Sequence, residues 1–121
     1  MRNHLDYFDK YFGPNRPAYI PPNYPSVSQA IRAVWEAGGI AVLAHPAYYM
    51  EKGEPVDESW LCELTAEGLN GLEVFSPYNK DWSSDAFLKL AGQLGLSSTG
   101  GSDFHGSFTE ERNLGSVLCY P

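Results

Sequence analysis

Apolar positions along this chain switch repeatedly between helical and strand-like spacing, and that alternation predicts the architecture. Residues 2–12, RNHLDYFDKYF, carry Leu5, Phe8 and Phe12 at helix-compatible intervals with charged residues between them. The next stretch, 13–25, holds Pro14, Pro17, Pro21, Pro22 and Pro25, a density that neither a helix nor a central strand accommodates. It predicts an extended connector, pinned to a surface by Tyr19, Ile20 and Tyr24. Ser26 then offers an N-cap to a helix over VSQAIRAVWEAG. Val27, Ile31 and Val34 or Trp35 share one face of that helix, and Gly38 is its stop. Ile40 to Ala44 form an unbroken apolar run, the pattern of a parallel strand covered on both faces.

The helix–strand unit recurs. VDESWLCELTAEG reads as a helix with Trp60, Leu61 and Leu64 as its apolar stripe, and Gly68 and Gly71 flank the entry to the strand GLEVF. SSDAFLKLAGQLG reads as a helix capped by Ser83 or Ser84, with Phe87, Leu88, Ala91 and Leu94 inward, leading into the strand SSTGG. LGSVLCYP, 114–121, predicts a short fourth strand. The period of about thirty residues is set by helix plus strand plus loop, not by a sequence repeat. The fold class is therefore α/β, with parallel βα units.

At 121 residues the chain is at most one domain with a modest core. Its formal net charge of -7, with 8 Lys and Arg together, argues against binding duplex nucleic acid through a basic surface. A nucleotide or phosphate substrate stays open, because metal ions invert a local field. Cys62 and Cys119 read as buried free thiols rather than a disulfide scaffold. The sequence shows neither a signal peptide nor a membrane span, which sets a cytoplasmic expectation.

The chemistry gathers where strands end. In SSTGGSDFHG, Asp103 and His105 lie one residue apart on extended backbone, so their side chains share a side. GGIAVLAHP ends in His45 and Pro46, and EVFSPY spans Glu73 to Tyr78. Parallel α/β sheets place ligands at the C-terminal ends of their strands. One carboxylate and two imidazoles without thiolate favour Zn, Mn or Fe. Such an ion lowers the pKa of bound water and polarises a phosphoryl or carbonyl oxygen. The bland reading is an α/β domain with an incidental Asp and two His, and it puts His45 far from Asp103. Glu73 sits inside an apolar strand, where a carboxylate needs partners, and reads as a structural anchor. Ser76, Tyr78, Asn79, Lys80 and Arg112 are candidate donors to a phosphate, and Gly100 and Gly101 permit close backbone approach. His4 reads as an ordinary surface histidine.

Together AxLAHP, GLEVxSP and GSDFHG resemble the C-terminal part of the PHP (polymerase and histidinol phosphatase) metal-dependent phosphoesterases. Within that family the resemblance is to the branch of nucleoside 3',5'-bisphosphate phosphatases and 5'-3' exoribonucleases. FDKYFGPNRPAYIPP resembles the end of the helical insert that this branch carries. The resemblance implies a distorted (β/α)7 barrel with two or three divalent ions (Mn, Zn or Fe). It assigns residues 1–25 to the end of the insert and the Pro-rich connector, and 26–121 to C-terminal βα units. It makes His45, Asp103 and His105 metal ligands, with Asp103 and His105 catalytic, and lets the glycines around them, Gly101 among them, shape the phosphate end. Ser76, Tyr78 and Arg112 remain the residue-level candidates for binding substrate. The substrates it implies are phosphoesters of small nucleotides or short RNA.

Relatives often place a second histidine after the EV strand, where this chain has Tyr78 and Asn79. The His-x-His motif of the first strand and a further Asp, His and Glu have no counterpart here. The expectation is thus a C-terminal piece of a barrel, inactive alone and holding only the late ligands. Its open sheet edge would pair with another chain or a second copy. The alternative expectation is a non-catalytic metal-binding or structural remnant.

Overall fold

A computed structural model describes residues 9–50, 56–79, 83–106 and 112–117. Helix α1 spans Val27–Glu36, strand β1 Val42–Leu43, helix α2 Glu58–Ala66, strand β2 Gly71–Phe75, helix α3 Ser84–Leu94 and strand β3 Ser97–Gly100. The strands form one parallel sheet in the order β1-β2-β3, with Leu43 opposite Leu72 and Glu73 opposite Thr99. A three-stranded parallel sheet with flanking helices is an α/β arrangement, and among the described residues it does not close on itself. Among the described residues no helix is long and apolar enough to cross a membrane.

Local chemistry explains the boundaries. Ser26 Oγ accepts from Gln29 N–H while Gln29 Oε1 accepts from Ser26 N–H, a reciprocal capping box that starts α1. Asp57 Oδ1 accepts from Trp60 N–H and caps α2. The Ser59 hydroxyl and that N–H hold the Asp57 carboxyl below its ordinary range. Ser83 is the N-cap residue of α3, although its side chain makes no capping bond.

The core lies between the sheet and α2 and α3. Leu72 and Val74 of β2, Leu61 of α2 and Phe87 of α3 are fully buried. Alternation along β2 puts Leu72 and Val74 on one face and Glu73 on the other. Asn70 ties α1 to this body: its Oδ1 accepts from Trp35 Nε1–H at 2.8 Å and from Ala41 N–H at 2.9 Å. Gly68, at φ +104°, lets the chain turn beneath that indole, and a Cβ there would stand 2.8 Å from Trp35.

Several expectations change. β1 is two residues long rather than five, and Ile40 is exposed, so the strand is not covered on both faces. Cys62 is an exposed free thiol, because Leu61 and Leu64 take the inward side of α2. Leu88 is likewise exposed and Leu90 takes the inward place on α3. Ile20 and Tyr24, at 83% and 80% exposure, do not pin the connector. Residues 114–117, expected to open a fourth strand, turn instead, with Ser116 N–H donating to Asn113 O. Residues 9–11 are helical as expected, while Leu5, Phe8, His4, Lys80, Cys119 and residues 118–121 lie outside the described residues.

Candidate functional site

Because the strands are parallel, β1, β2 and β3 deliver their C-terminal ends to one edge of the sheet. Between Glu73 and Phe75 the pairing of β2 with β3 is irregular: Glu73 faces Thr99, but Phe75 faces Gly100. Such a bulge re-aims the chain at a strand end. Gly101 N–H then donates to Phe75 O at 2.9 Å. The buried Asn79 donates its side-chain amide to Glu73 O and Val74 O, giving those carbonyls partners at the irregular point.

Glu73 does work of its own at this edge. Its Oε2 accepts the His45 backbone N–H at 2.6 Å, across from β2 to the end of β1. His45 has φ +33° and opens the short turn Pro46–Tyr49. Asp103 has φ +50°. Apart from Asn15, these two are the described non-glycine residues with positive φ, and such strained positions cluster at functional sites. Gly101 is packed against the same anchor, for a Cβ on it would lie 3.0 Å from Glu73 Oε1.

Tyr78 is where the strand ends meet. Its ring packs edge-on against His45, with centroids 5.4 Å apart, and against Tyr48 at 4.9 Å. Its hydroxyl donates to Asp103 Oδ2 at 2.7 Å. Arg112 closes the group: Nη1 donates to the same Oδ2 at 2.6 Å, and the guanidinium carbon lies 4.8 Å from the Tyr78 ring centroid. Burial, then the bond to Asp103, pushes the Tyr78 phenol up to about 12. Ser76 is buried, and its Oγ accepts from Tyr78 N–H at 3.3 Å.

His105 is the outlying member, its side chain 62% exposed. Its Nδ1 lies 2.6 Å from Asp103 O and 3.5 Å from Asp103 Oδ1. A carbonyl oxygen only accepts, so Nδ1 carries the proton, and in the neutral ring the lone pair is on Nε2. Tyr78, a substrate-facing candidate in the sequence, links His45 to Asp103. Tyr48 is not singled out by the sequence, where its signal is the aromatic pair one residue beyond AHP.

No protein-family profile matches the chain. It is 33% identical to a 3',5'-nucleoside bisphosphate phosphatase of Chromobacterium violaceum over 94% of its own length and 40% of that protein's. It is 33% identical to a 5'-3' exoribonuclease of Escherichia coli over 83% of its length and 34% of that enzyme's. Among solved structures, one from Bifidobacterium adolescentis, classed as a metal-dependent phosphoesterase, superposes with TM-score 0.76 and 32% identity. That superposition takes in 98% of this chain and 41% of the other. A Chromobacterium violaceum amidohydrolase, solved with sulfate and no metal, gives TM-score 0.72 at 30% identity, covering all of this chain and 41% of that one. The fold resembles that of metal-dependent phosphoesterases and amidohydrolases. The likeness is thus to hydrolases, and the chain spans well under half the length of each of these relatives.

The metal those descriptions imply meets a plain geometric test. Among the described residues no three His, Cys, Asp or Glu side chains gather closely enough to hold an ion. Asp103 Oδ2 already takes two protein donors. The donor types suit a divalent ion; as placed, the residues do not fit one.

Proposed function

We propose that this chain is a non-catalytic part of a PHP phosphoesterase scaffold, made to be completed by further polypeptide. The observation that carries this reading is the engagement of Asp103 by Tyr78 and Arg112, with no three-donor group among the described residues. Identity spread along nearly the whole chain, against less than half of each relative, supports it. On this reading residues 26–121 supply late βα units, and residues 1–25 are the end of an insert with its connector. A partner strand pairs along an edge of the sheet at β1 or β3, where no further strand is paired among the described residues. Hydrolysis of phosphoesters of small nucleotides or short RNA belongs to the completed assembly. There His45, Asp103 and His105 are the late donors, Asp103 and His105 stand nearest the chemistry, and Ser76, Tyr78, Gly101 and Arg112 face the phosphate. Glu73 serves as the anchor of the His45 turn.

The test is turnover of a nucleoside 3',5'-bisphosphate and of a 5'-phosphorylated oligoribonucleotide by the purified chain, with Mn added and Asp103→Asn beside it. No release of phosphate or nucleotide above the variant is expected. Sustained turnover that Asp103→Asn abolishes would overturn the non-catalytic reading.

A further inference from the structure

Arg112 occupies one oxygen of the carboxylate that the donor chemistry would offer to an ion. Asp103 is 18% exposed and Arg112 27%, so their contact at 2.6 Å is shielded from bulk water rather than lying on an open surface. A guanidinium at that distance from a carboxylate, with its plane carbon over an aromatic ring, is held by two attractions at once. The Tyr78 hydroxyl takes a further lone-pair direction of the same oxygen. The left-handed backbone at Asp103 is a conformation that neighbouring contacts must hold in place. Oδ1 faces His105 Nδ1 at 3.5 Å, so an ion approaching there meets the guanidinium charge across the width of one carboxylate.

We infer that Arg112 is an internal counter-ion filling the cation position at Asp103, and that a divalent ion engages Asp103 only by displacing it. The inference draws on the phosphoesterase reading only for the place of the site. Its test measures binding rather than turnover, so the two can fail separately. A dication and a guanidinium compete for one carboxylate because each neutralises it and the two repel each other.

The experiment titrates Zn and, separately, Mn into the full 121-residue chain by calorimetry. It compares the unaltered protein with Arg112→Lys, Arg112→Gln and Arg112→Gln combined with Asp103→Asn. Arg112→Gln is expected to bind about tenfold or more tightly than the unaltered chain. The double variant is expected to lose that gain. Arg112→Lys is expected to fall between, since an ammonium cannot lie flat on the Tyr78 ring while bonding Asp103. Equal affinity in the Gln variant and the unaltered chain overturns the inference, as does a gain that survives Asp103→Asn. Should Arg112→Gln fail to fold by circular dichroism, the Lys variant decides, and unchanged affinity there overturns it.

Discussion

The Tyr78 hydroxyl donates to Asp103 Oδ2 at 2.7 Å, binding the loop after β2 to the loop after β3. Burial and this bond raise the phenol from 10.0 to about 12, so the fold favours the protonated form. The stability gained this way is intact below pH 10.0 and disappears as pH climbs through about 12. In an ultraviolet titration of tyrosinate, one phenol is expected to ionise late and to vanish from the curve in Tyr78→Phe. Superimposable curves for the two proteins would sink the assignment.

The Glu73 carboxylate accepts the backbone N–H of His45 at the start of its turn. Glu73→Ala removes a charged acceptor and is expected to cost about 1.5–3 kcal/mol in urea unfolding. Gly101→Ala approaches the same carboxylate at 3.0 Å, and the His45 bond limits how far that carboxylate can retreat. A cost on the order of 1 kcal/mol is expected. In the Glu73→Ala background the Gly101 substitution should lose most of its effect. Full additivity in that double-mutant cycle would show that the two positions do not communicate.

Beneath the Trp35 indole, a methyl group at position 68 would meet ring carbons at 2.8 Å on backbone of φ +104°. Gly68→Ala is expected to destabilise by about 1–3 kcal/mol. It should also shift tryptophan emission, since the indole must move off Asn70. Stability and emission both equal to the unaltered chain would contradict the packing described.

Among the described residues Phe87 is the largest fully buried side chain, and it packs in one core with Leu72 and Val74. Phe87→Ala is expected to cost about 3–5 kcal/mol. Against a total of about 5–15 kcal/mol for an ordinary domain, that loss should lower the thermal midpoint sharply and broaden the transition. A midpoint within a few degrees of the original would mean that the core is organised elsewhere.

The periodic parts of this fold are legible in the chain, and the lateral ones are not. Ser26, Leu61, Leu64, Phe87 and Ala91 announce their helices through spacing, and GLEVF announces the central strand. Leu88 goes astray because the stripe drawn on its helix is a residue too wide, and Cys62 because its apolar character says nothing of its face. Positions adjacent to Phe87 and Leu61 lie about 100° round the helix. Asn70 reads as an ordinary loop residue, although one of its atoms serves Trp35 and Ala41, far back in the chain. Nothing local encodes such a bond. The strand-end residues can be picked out by type, yet the guanidinium on Asp103 comes from a loop nine residues on, and periodicity is silent about loops.

Asn70 precedes Gly71, the dipeptide in which a backbone nitrogen most readily attacks a side-chain amide and converts asparagine to aspartate or isoaspartate. In the folded chain that nitrogen is committed: Gly71 N–H donates to Ala41 O at 3.1 Å, while Asn70 Oδ1 holds Trp35 and Ala41. The same contacts that fasten α1 therefore protect the bond from chemical ageing. A stored sample accumulates deamidated product here in proportion to the time its chains spend open, so the peptide spanning residues 70 and 71 serves as a built-in clock of unfolding.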